Sequence, residues 1–152
     1  MTEYVAVRRI SEETDLMTAT SRTSRIEELF GANAVAECCA PQIADERATE
    51  LVRATSAGPA GGYWEGYAHL ALRCYLLAAA FCGADSAQVI AWARNPEDPS
   101  AAQVLKDHAA DVPHGWIETL EAGLPAAGVE RFMVFGTLLH AMHPNTHPYP
   151  VR

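Results

Sequence analysis

Apolar residues recur at spacings of three and four through the middle of the chain, from Tyr63 to Cys82. This spacing places them on one face of an α-helix. Beyond Ala71 nearly all other positions are apolar too, which is typical of a helix buried on every side. The pattern therefore predicts one long central helix over residues 63–82, closed by Gly83. The predicted inward stripe consists of Tyr67, Leu70, Ala71, Cys74, Leu77, Ala78 and Phe81.

Shorter helical segments are predicted before this one. Ser24 opens a sequence of capping-box form, and Gly31 has the backbone freedom to end the helix that Ser24 begins. Asn33 is expected to cap a further turn, which Pro41 stops because proline cannot continue a helix. A helix then follows over residues 42–55, with charged residues on its outer face. Its predicted inward stripe consists of Ile43, Arg47, Leu51 and Ala54.

Further short helices are predicted after Gly83. Asp85 or Ser86 is expected to cap the first of them, because both side chains accept hydrogen bonds from free backbone N–H groups. Asp98 followed by Pro99 is typical of a helix start, because proline suits the first helical position. These signals predict two helices in the stretch between the long helix and residue 108.

Two more helices are predicted towards the end of the chain. An aspartate and a proline recur at Asp111 and Pro113, before a helix that Gly123 ends. The last helix is predicted from an apolar stripe at helical spacing, and Pro144 marks its end. We expect this stripe to face the core. Its residues are Val129, Phe132, Met133, Gly136 and Leu139.

The helical segments together determine the predicted fold class. No segment shows convincing period-two alternation, which would indicate a half-buried strand. We expect an all-α fold, a compact bundle of five to seven mostly short helices around one long central helix. Residues 1–41 are predicted to form a polar N-terminal arm with short helices, residues 42–142 the helical domain, and residues 143–152 a tail rich in proline and histidine.

Composition restricts the class and the compartment. The length of 152 residues suits one domain, and a hydrophobic content of 49% is that of a globular protein. No apolar run reaches the roughly 18 residues of a membrane span, since Arg73 interrupts the best stretch. The first residues lack the order of a secretory signal. Four cysteines occur without a Cys-x-x-Cys pair, which fits buried thiols in a reducing compartment. We therefore expect a cytoplasmic protein that does not enter a membrane.

The charge of the chain narrows the choice of partner. Acidic residues outnumber basic ones, and the formal net charge is −8. Affinity for nucleic acid comes largely from lysine and arginine side chains that neutralise phosphates. A phosphate backbone would repel this chain at long range. The charge therefore disfavours direct binding of nucleic acid and favours a basic protein partner.

Four stretches carry a resemblance to a known family. They are residues 61–66 (GGYWEG), 71–80 (ALRCYLLAAA) and 89–98 (VIAWARNPED), together with residues 111–116 (DVPHGW), which look like the family's Pro-Gly-Trp turn. The chain resembles the all-alpha domain of actinobacterial TraG/TraD-type coupling proteins, the ATPases of conjugative type IV secretion. The resemblance covers approximately residues 42–141.

The resemblance implies a helical domain at the cytoplasmic mouth of a hexameric motor, where it recognises the relaxosome or another substrate. The motor's phosphate-binding motif is absent, and Lys106, the only lysine, follows no glycine-rich loop. The membrane anchor helices of the family are absent as well. We therefore predict a non-catalytic recognition module without a cofactor. Its expected partner is a protein, namely a relaxase, another relaxosome component or the coupling ATPase, while its oligomeric state stays open.

Aromatic and acidic side chains mark the predicted binding surface. Three aromatic residues cluster at the start of the long helix, where they either pack in the core or face a partner as interface anchors. A glutamate beside them suits the positive end of the helix dipole. Two further acidic residues are interpreted as part of an exposed acidic face. The predicted partner-binding residues are Tyr63, Trp64, Glu65, Tyr67, Glu97 and Asp107.

Other patterns leave further functions open. The glycine-rich residues 58–66 form either a plain loop or an anion cradle at the free N–H groups of a helix start. His140, His143 and His147 have a spacing at which zinc ligands converge, but Pro144 breaks the helix between them, so a mobile tail is the alternative. The alternative functions are a DNA-binding accessory protein of conjugation, with an arm of N-terminal arginines, and a small metal-binding protein that uses these histidines.

Overall fold

The computed structural model of the chain describes residues 24–54 and 62–143. Helices account for 77% of these residues, and none of them lies in a β-strand, which confirms the all-α prediction. The described residues form seven α-helices, which are α1 (Arg25–Phe30), α2 (Pro41–Ala54), α3 (Gly62–Phe81), α4 (Ser86–Arg94), α5 (Ser100–Asp107), α6 (Trp116–Glu118) and α7 (Gly128–Met142).

The long apolar stripe forms α3, which has 20 residues. Its second half is buried on several sides, since Leu72 and Leu76 are as fully buried as Cys74. The helix packs against α2, α4, α5, α6 and α7, and against the 3-10 turn Ala36–Cys39. Within residues 24–54 and 62–143, no helix combines the length and the apolar character needed to cross a bilayer.

The 3-10 turn Ala36–Cys39 ends before Pro41, and the same proline begins α2, one residue earlier than predicted. Proline suits this position because the N–H that it lacks would have no intrahelical acceptor. The predicted stripe was wrong at Ala54, which is exposed, whereas Ile43 and Arg47 are half-buried and Ile43 packs against the core. Small alanines instead face the core and allow close packing on α3. The buried residues are Ala44, Ala48, Leu51 and Val52.

α7 turns a different side to the core from the one predicted. Val129 and Phe132 of the predicted inward stripe are 74% and 76% exposed, and Gly136 is exposed as well. Both sides of this helix carry apolar residues, so the spacing alone does not decide which side is buried. The buried side consists of Val134, Phe135, Leu138, Ala141 and Met142.

The predicted cap is confirmed at Asp85 in α4, whereas in α5 Pro99 takes the N-cap position one residue after the predicted Asp98. Asp85 accepts hydrogen bonds from the backbone N–H groups of Ala87 and Gln88, at 3.1 and 3.4 Å. Asp98 Oδ1 accepts one from the N–H of Ser100 at 2.9 Å. The predicted cap at Asp111 was wrong, because Asp111 lies in the 3-10 turn Ala109–Asp111 and α6 begins after Gly115. Gly115 has φ +91, a conformation that favours glycine.

One hydrophobic core joins the described residues, and the stretch 24–40, predicted as part of the arm, contributes Ile26, Val35 and Cys38 to it. Two polar contacts hold α1 in place. The Glu27 carboxylate accepts hydrogen bonds from the hydroxyls of Ser24 and Ser86, both at 3.0 Å to Oε1. The Arg25 guanidinium donates one to the His143 carbonyl at 3.5 Å. α1 therefore lies against the start of α4 and the end of α7.

Candidate partner-binding site

The three predicted aromatic residues form one cluster in the first turns of α3. The rings of Tyr63 and Trp64 meet edge to face at 4.5 Å between centroids, and those of Tyr63 and Tyr67 at 5.5 Å. Edge-to-face contact is a favourable arrangement for aromatic quadrupoles. Tyr63 is 58% exposed, whereas Trp64 and Tyr67 are partly buried and pack on the core. The cluster is therefore partly packed in the core, through Trp64 and Tyr67, and partly exposed, through Tyr63.

Glu130, in the first turn of α7, lies within electrostatic range of Tyr63 in this cluster. The hydroxyl of Tyr67 raises the pKa of the Tyr63 phenol, and the negative charge of Glu130 adds to this shift. Val129 precedes Glu130, and Phe132 stands three residues further along the same side of the helix. We call the group Tyr63, Trp64, Tyr67, Val129 and Phe132 the apolar surface. It contains three of the four large hydrophobic residues that are more than half exposed among residues 24–54 and 62–143.

The predicted acidic residues are not brought together. Glu65 lies in the first turn of α3, where it favours the positive end of the helix dipole. Glu97 lies in the turn before α5, and its carboxylate accepts a hydrogen bond from Arg131 Nη2 at 2.8 Å. Asp107 closes α5, and its Oδ1 accepts one from Gln103 Nε2 at 2.9 Å. α5 has eight residues and is about 12 Å long. Glu97 precedes this helix and Asp107 ends it, so the acidic residues form no single cluster.

A polar cluster between α2 and α3 was not predicted from the sequence. Asp45 Oδ1 is 2.8 Å from His69 Nε2 and 3.1 Å from Arg73 Nη1. The Arg73 guanidinium also stacks 4.2 Å above the Trp116 ring. His69 and Arg73 stand four residues apart on one face of α3, which is the only signal of this cluster in the sequence. The arrangement ties three helices together through one carboxylate and one guanidinium.

A cleft beside the start of α7 was also missed. It has a volume of about 360 Å³ and lies between the turn before α5, the π-helical turn Thr119–Gly123 and the start of α7. Tyr75 of α3 lines it, and burial raises the pKa of this phenol far above its usual value. Acidic and basic groups line it as well. The charged lining residues are Glu97, Asp98, Glu121 and Arg131.

The candidate metal and anion sites lie partly outside the described residues. His140 lies in the last turn of α7 and His143 follows its last residue, but His147 falls outside, as do residues 58–61 of the glycine-rich stretch. Burial lowers the pKa of His143, and the charge of Arg94 adds to this effect. No group of three or more histidine, cysteine, aspartate or glutamate side chains is placed to hold a metal ion in the described part of the chain.

Comparison with protein-family models, with curated proteins and with solved structures finds no match to this chain. None of these comparisons supports the resemblance to coupling proteins, which depends only on the four stretches given above. Of these stretches, residues 111–116 form the turn that carries Gly115 and the buried Trp116. The Trp116 carbonyl accepts a hydrogen bond from the Cys74 thiol at 3.4 Å, so this turn is fixed on α3.

Proposed function

We propose that the chain is a recognition module that binds a protein partner through the apolar surface. The observation that carries this proposal is the exposure of Tyr63, Val129 and Phe132 at 58%, 74% and 76%. Large rigid side chains of this kind lose little conformational entropy on binding and are enriched where binding energy concentrates. Exposure of these side chains does not stabilise the fold, because apolar side chains lower the free energy when they are buried away from water.

The charge supports a partner with a basic rim around an apolar centre. Glu65 and Glu130 lie beside the apolar surface, and the whole chain has a net charge of −8. Complementary charges at a rim speed up encounter and exclude wrong partners more than they add affinity. The same balance of charge disfavours a nucleic-acid ligand.

The resemblance to the all-alpha domain of coupling proteins indicates which class of partner to expect. A module of that kind recognises a relaxase, another relaxosome component or the coupling ATPase, and it works in the cytoplasm during conjugative DNA transfer. We propose this role for the chain on the strength of residues 61–66, 71–80, 89–98 and 111–116. The cysteines Cys38, Cys39, Cys74 and Cys82 are all free thiols, which suits a reducing compartment.

Binding of purified partners to the immobilised chain tests the proposal. A relaxase and a coupling ATPase of a conjugative system are the probes, and the variant is Tyr63→Ser combined with Phe132→Ser. Because both side chains are exposed, the variant is expected to keep its fold and to bind about tenfold or more weakly. Leu29→Ser is the matched control, since Leu29 is 51% exposed on α1, outside the apolar surface.

Two results would count against the proposal. Failure of both purified probes to bind the natural chain removes the role in conjugation. Equal loss of binding in the Leu29→Ser control removes the assignment to the apolar surface. A mobility shift of DNA at micromolar protein and low salt would instead favour the alternative of a DNA-binding accessory protein.

A further inference from the structure

The cleft beside α5 has the size and lining of a binding site. Its volume of about 360 Å³ lies within the range of roughly 300–1,000 Å³ that is usual for small-ligand pockets. Its wall is more polar than apolar, but several apolar side chains contribute to it. They include Leu120, Leu124, Ala102, Pro96 and Pro99. A π-helical turn forms one wall, and such turns occur frequently at functional sites.

The Tyr75 side chain supplies a polar group at the bottom of the cleft that lacks a partner. Tyr75 is only 3% exposed, and its ring packs near Trp92 and Phe135 at centroid distances of 5.8 and 6.5 Å. Its side chain lines the cleft together with Arg131 and Asp98. Within residues 24–54 and 62–143 the hydroxyl makes no hydrogen bond, and it stays open to the cleft rather than fully buried.

The charges around this hydroxyl favour a single cation. Arg131 is already engaged, because Nη1 donates to the Pro125 carbonyl at 2.9 Å and Nη2 to Glu97 at 2.8 Å. Glu121 forms an ion pair with Lys106. Asp98 is half-buried and forms no ion pair with any described residue, and only its Oδ1 accepts a backbone hydrogen bond. One uncompensated carboxylate and one unbonded hydroxyl therefore lie in the same cleft.

We propose that this cleft binds one lysine or arginine side chain of the protein partner. The ammonium or guanidinium group donates hydrogen bonds to the Tyr75 hydroxyl and the Asp98 carboxylate, and the aliphatic stem packs on Leu120 and Leu124. The stem and the head group of a basic side chain match the apolar part of the wall and the polar bottom. This inference rests on the proposed function, since a protein partner presents the side chain.

Titration with short peptides, followed by NMR of the tryptophan side chains, tests the inference. The probe is acetyl-Gly-Lys-Gly-amide or its arginine counterpart, and the control peptide carries norleucine, which keeps the stem without the charge. The chain has three tryptophans. Trp92 packs near Tyr75, whereas Trp64 and Trp116 lie elsewhere, so we expect a saturable shift of the Trp92 indole N–H signal alone with the basic peptides.

Two conservative variants identify the groups that bind the cation. Tyr75→Phe keeps the ring that packs near Trp92, and Asp98→Asn keeps an oxygen that caps α5. Each is expected to weaken binding of the lysine peptide by about tenfold, because each removes a hydrogen bond to a charged group. Tyr63→Phe, in the apolar surface, is the matched control and is expected to leave this affinity unchanged.

Several outcomes would overturn the inference. They are the absence of a saturable Trp92 shift, equal binding of the norleucine peptide, and unchanged affinity in both cleft variants. Equal binding of n-butylammonium would show that the cleft takes a free amine and would remove the assignment to a partner's side chain. The proposed function fails separately, through loss of partner binding that depends on Tyr63 and Phe132, because the peptide titration needs no partner.

Discussion

Arg73 places a charge inside the most apolar stretch of the chain, and two neighbours compensate for it. Asp45 accepts its hydrogen bond at 3.1 Å, and the guanidinium lies 4.2 Å from the centre of the Trp116 ring. The guanidinium is planar, so it stacks and donates at the same time, which an ammonium group does not do. The sequence shows only that Arg73 interrupts an apolar helix, because both compensating residues are distant in sequence.

We expect Arg73→Lys to lower the free energy of unfolding by about 1–2 kcal/mol, because lysine keeps the charge but loses the stacking on Trp116. Urea denaturation followed by circular dichroism measures the change. Arg53→Lys is the control, since Arg53 is 70% exposed and pairs with Glu50 on the surface. Its effect is expected to stay within about 0.5 kcal/mol. Equal effects of the two substitutions would contradict the role given to stacking.

The four thiols are expected to react with a disulfide reagent in two classes. Burial raises the pKa of Cys38 to about 11 and that of Cys74 to about 12, so neither forms much thiolate at pH 8. Cys39 and Cys82 are exposed and are expected to react first. Absorbance of the released thiolate at pH 8 measures this, with the urea-unfolded chain as the fully reactive control. Four equal rates in the folded chain would refute the burial of Cys38 and Cys74.

At the scale of the element, spacing predicts where helices lie better than which side they bury. The apolar stripe of α3 matched its observed range to within one residue, because every face of its second half is apolar. α7 carries apolar residues on two faces, and only packing against α3 and α4 determines that Phe135 lies inside and Phe132 outside. The buried side of α7 therefore depends on the helices that pack against it, and the sequence of α7 by itself does not determine it.

The same limit applies to the candidate sites. The aromatic cluster was predictable because Tyr63, Trp64 and Tyr67 are close in sequence and share the first turns of one helix. The cleft was not, because Tyr75 and Arg131 come from different helices and meet only when those helices pack. The separation of Glu97 from Asp107 was not predictable either, because it depends on the direction in which α5 runs.

Two glycines are expected to respond in opposite directions to alanine. Gly136 lies inside α7 with open space where a methyl group would project, so Gly136→Ala is expected to stabilise the chain by about 0.5–1 kcal/mol. Gly115 also has open space but adopts φ +91, so Gly115→Ala is expected to destabilise it by about 1–2 kcal/mol. Thermal unfolding followed by circular dichroism measures both. Shifts of the same sign would show that backbone conformation does not control these positions.

At the scale of the molecule, one core joins α1 to the helices that follow residue 41. Ile26 is fully buried in this core, while Leu29 on the same helix is 51% exposed. We expect Ile26→Ala to lower the free energy of unfolding by about 2–4 kcal/mol because it leaves a cavity. Leu29→Ala is the control and is expected to change it by less than about 0.5 kcal/mol.

Tryptophan fluorescence and circular dichroism together measure this effect in a urea titration. Because Trp92 and Trp116 are buried far along the chain from Ile26, a single core predicts that both signals change in one coincident transition. The Ile26→Ala variant is expected to move both midpoints together. A variant in which the fluorescence midpoint stays unchanged would show that α1 unfolds independently.

The hydrogen bond between Arg25 and His143 brings the start of α1 next to the end of α7. A helical unit whose first and last helices meet can be carried inside a loop of a larger host without stretching either helix. The same geometry permits circular permutation of this helical unit, in which a short linker joins the end of α7 to the start of α1 and new ends open at a surface turn. Such rearranged chains offer a way to display this helical unit on other scaffolds.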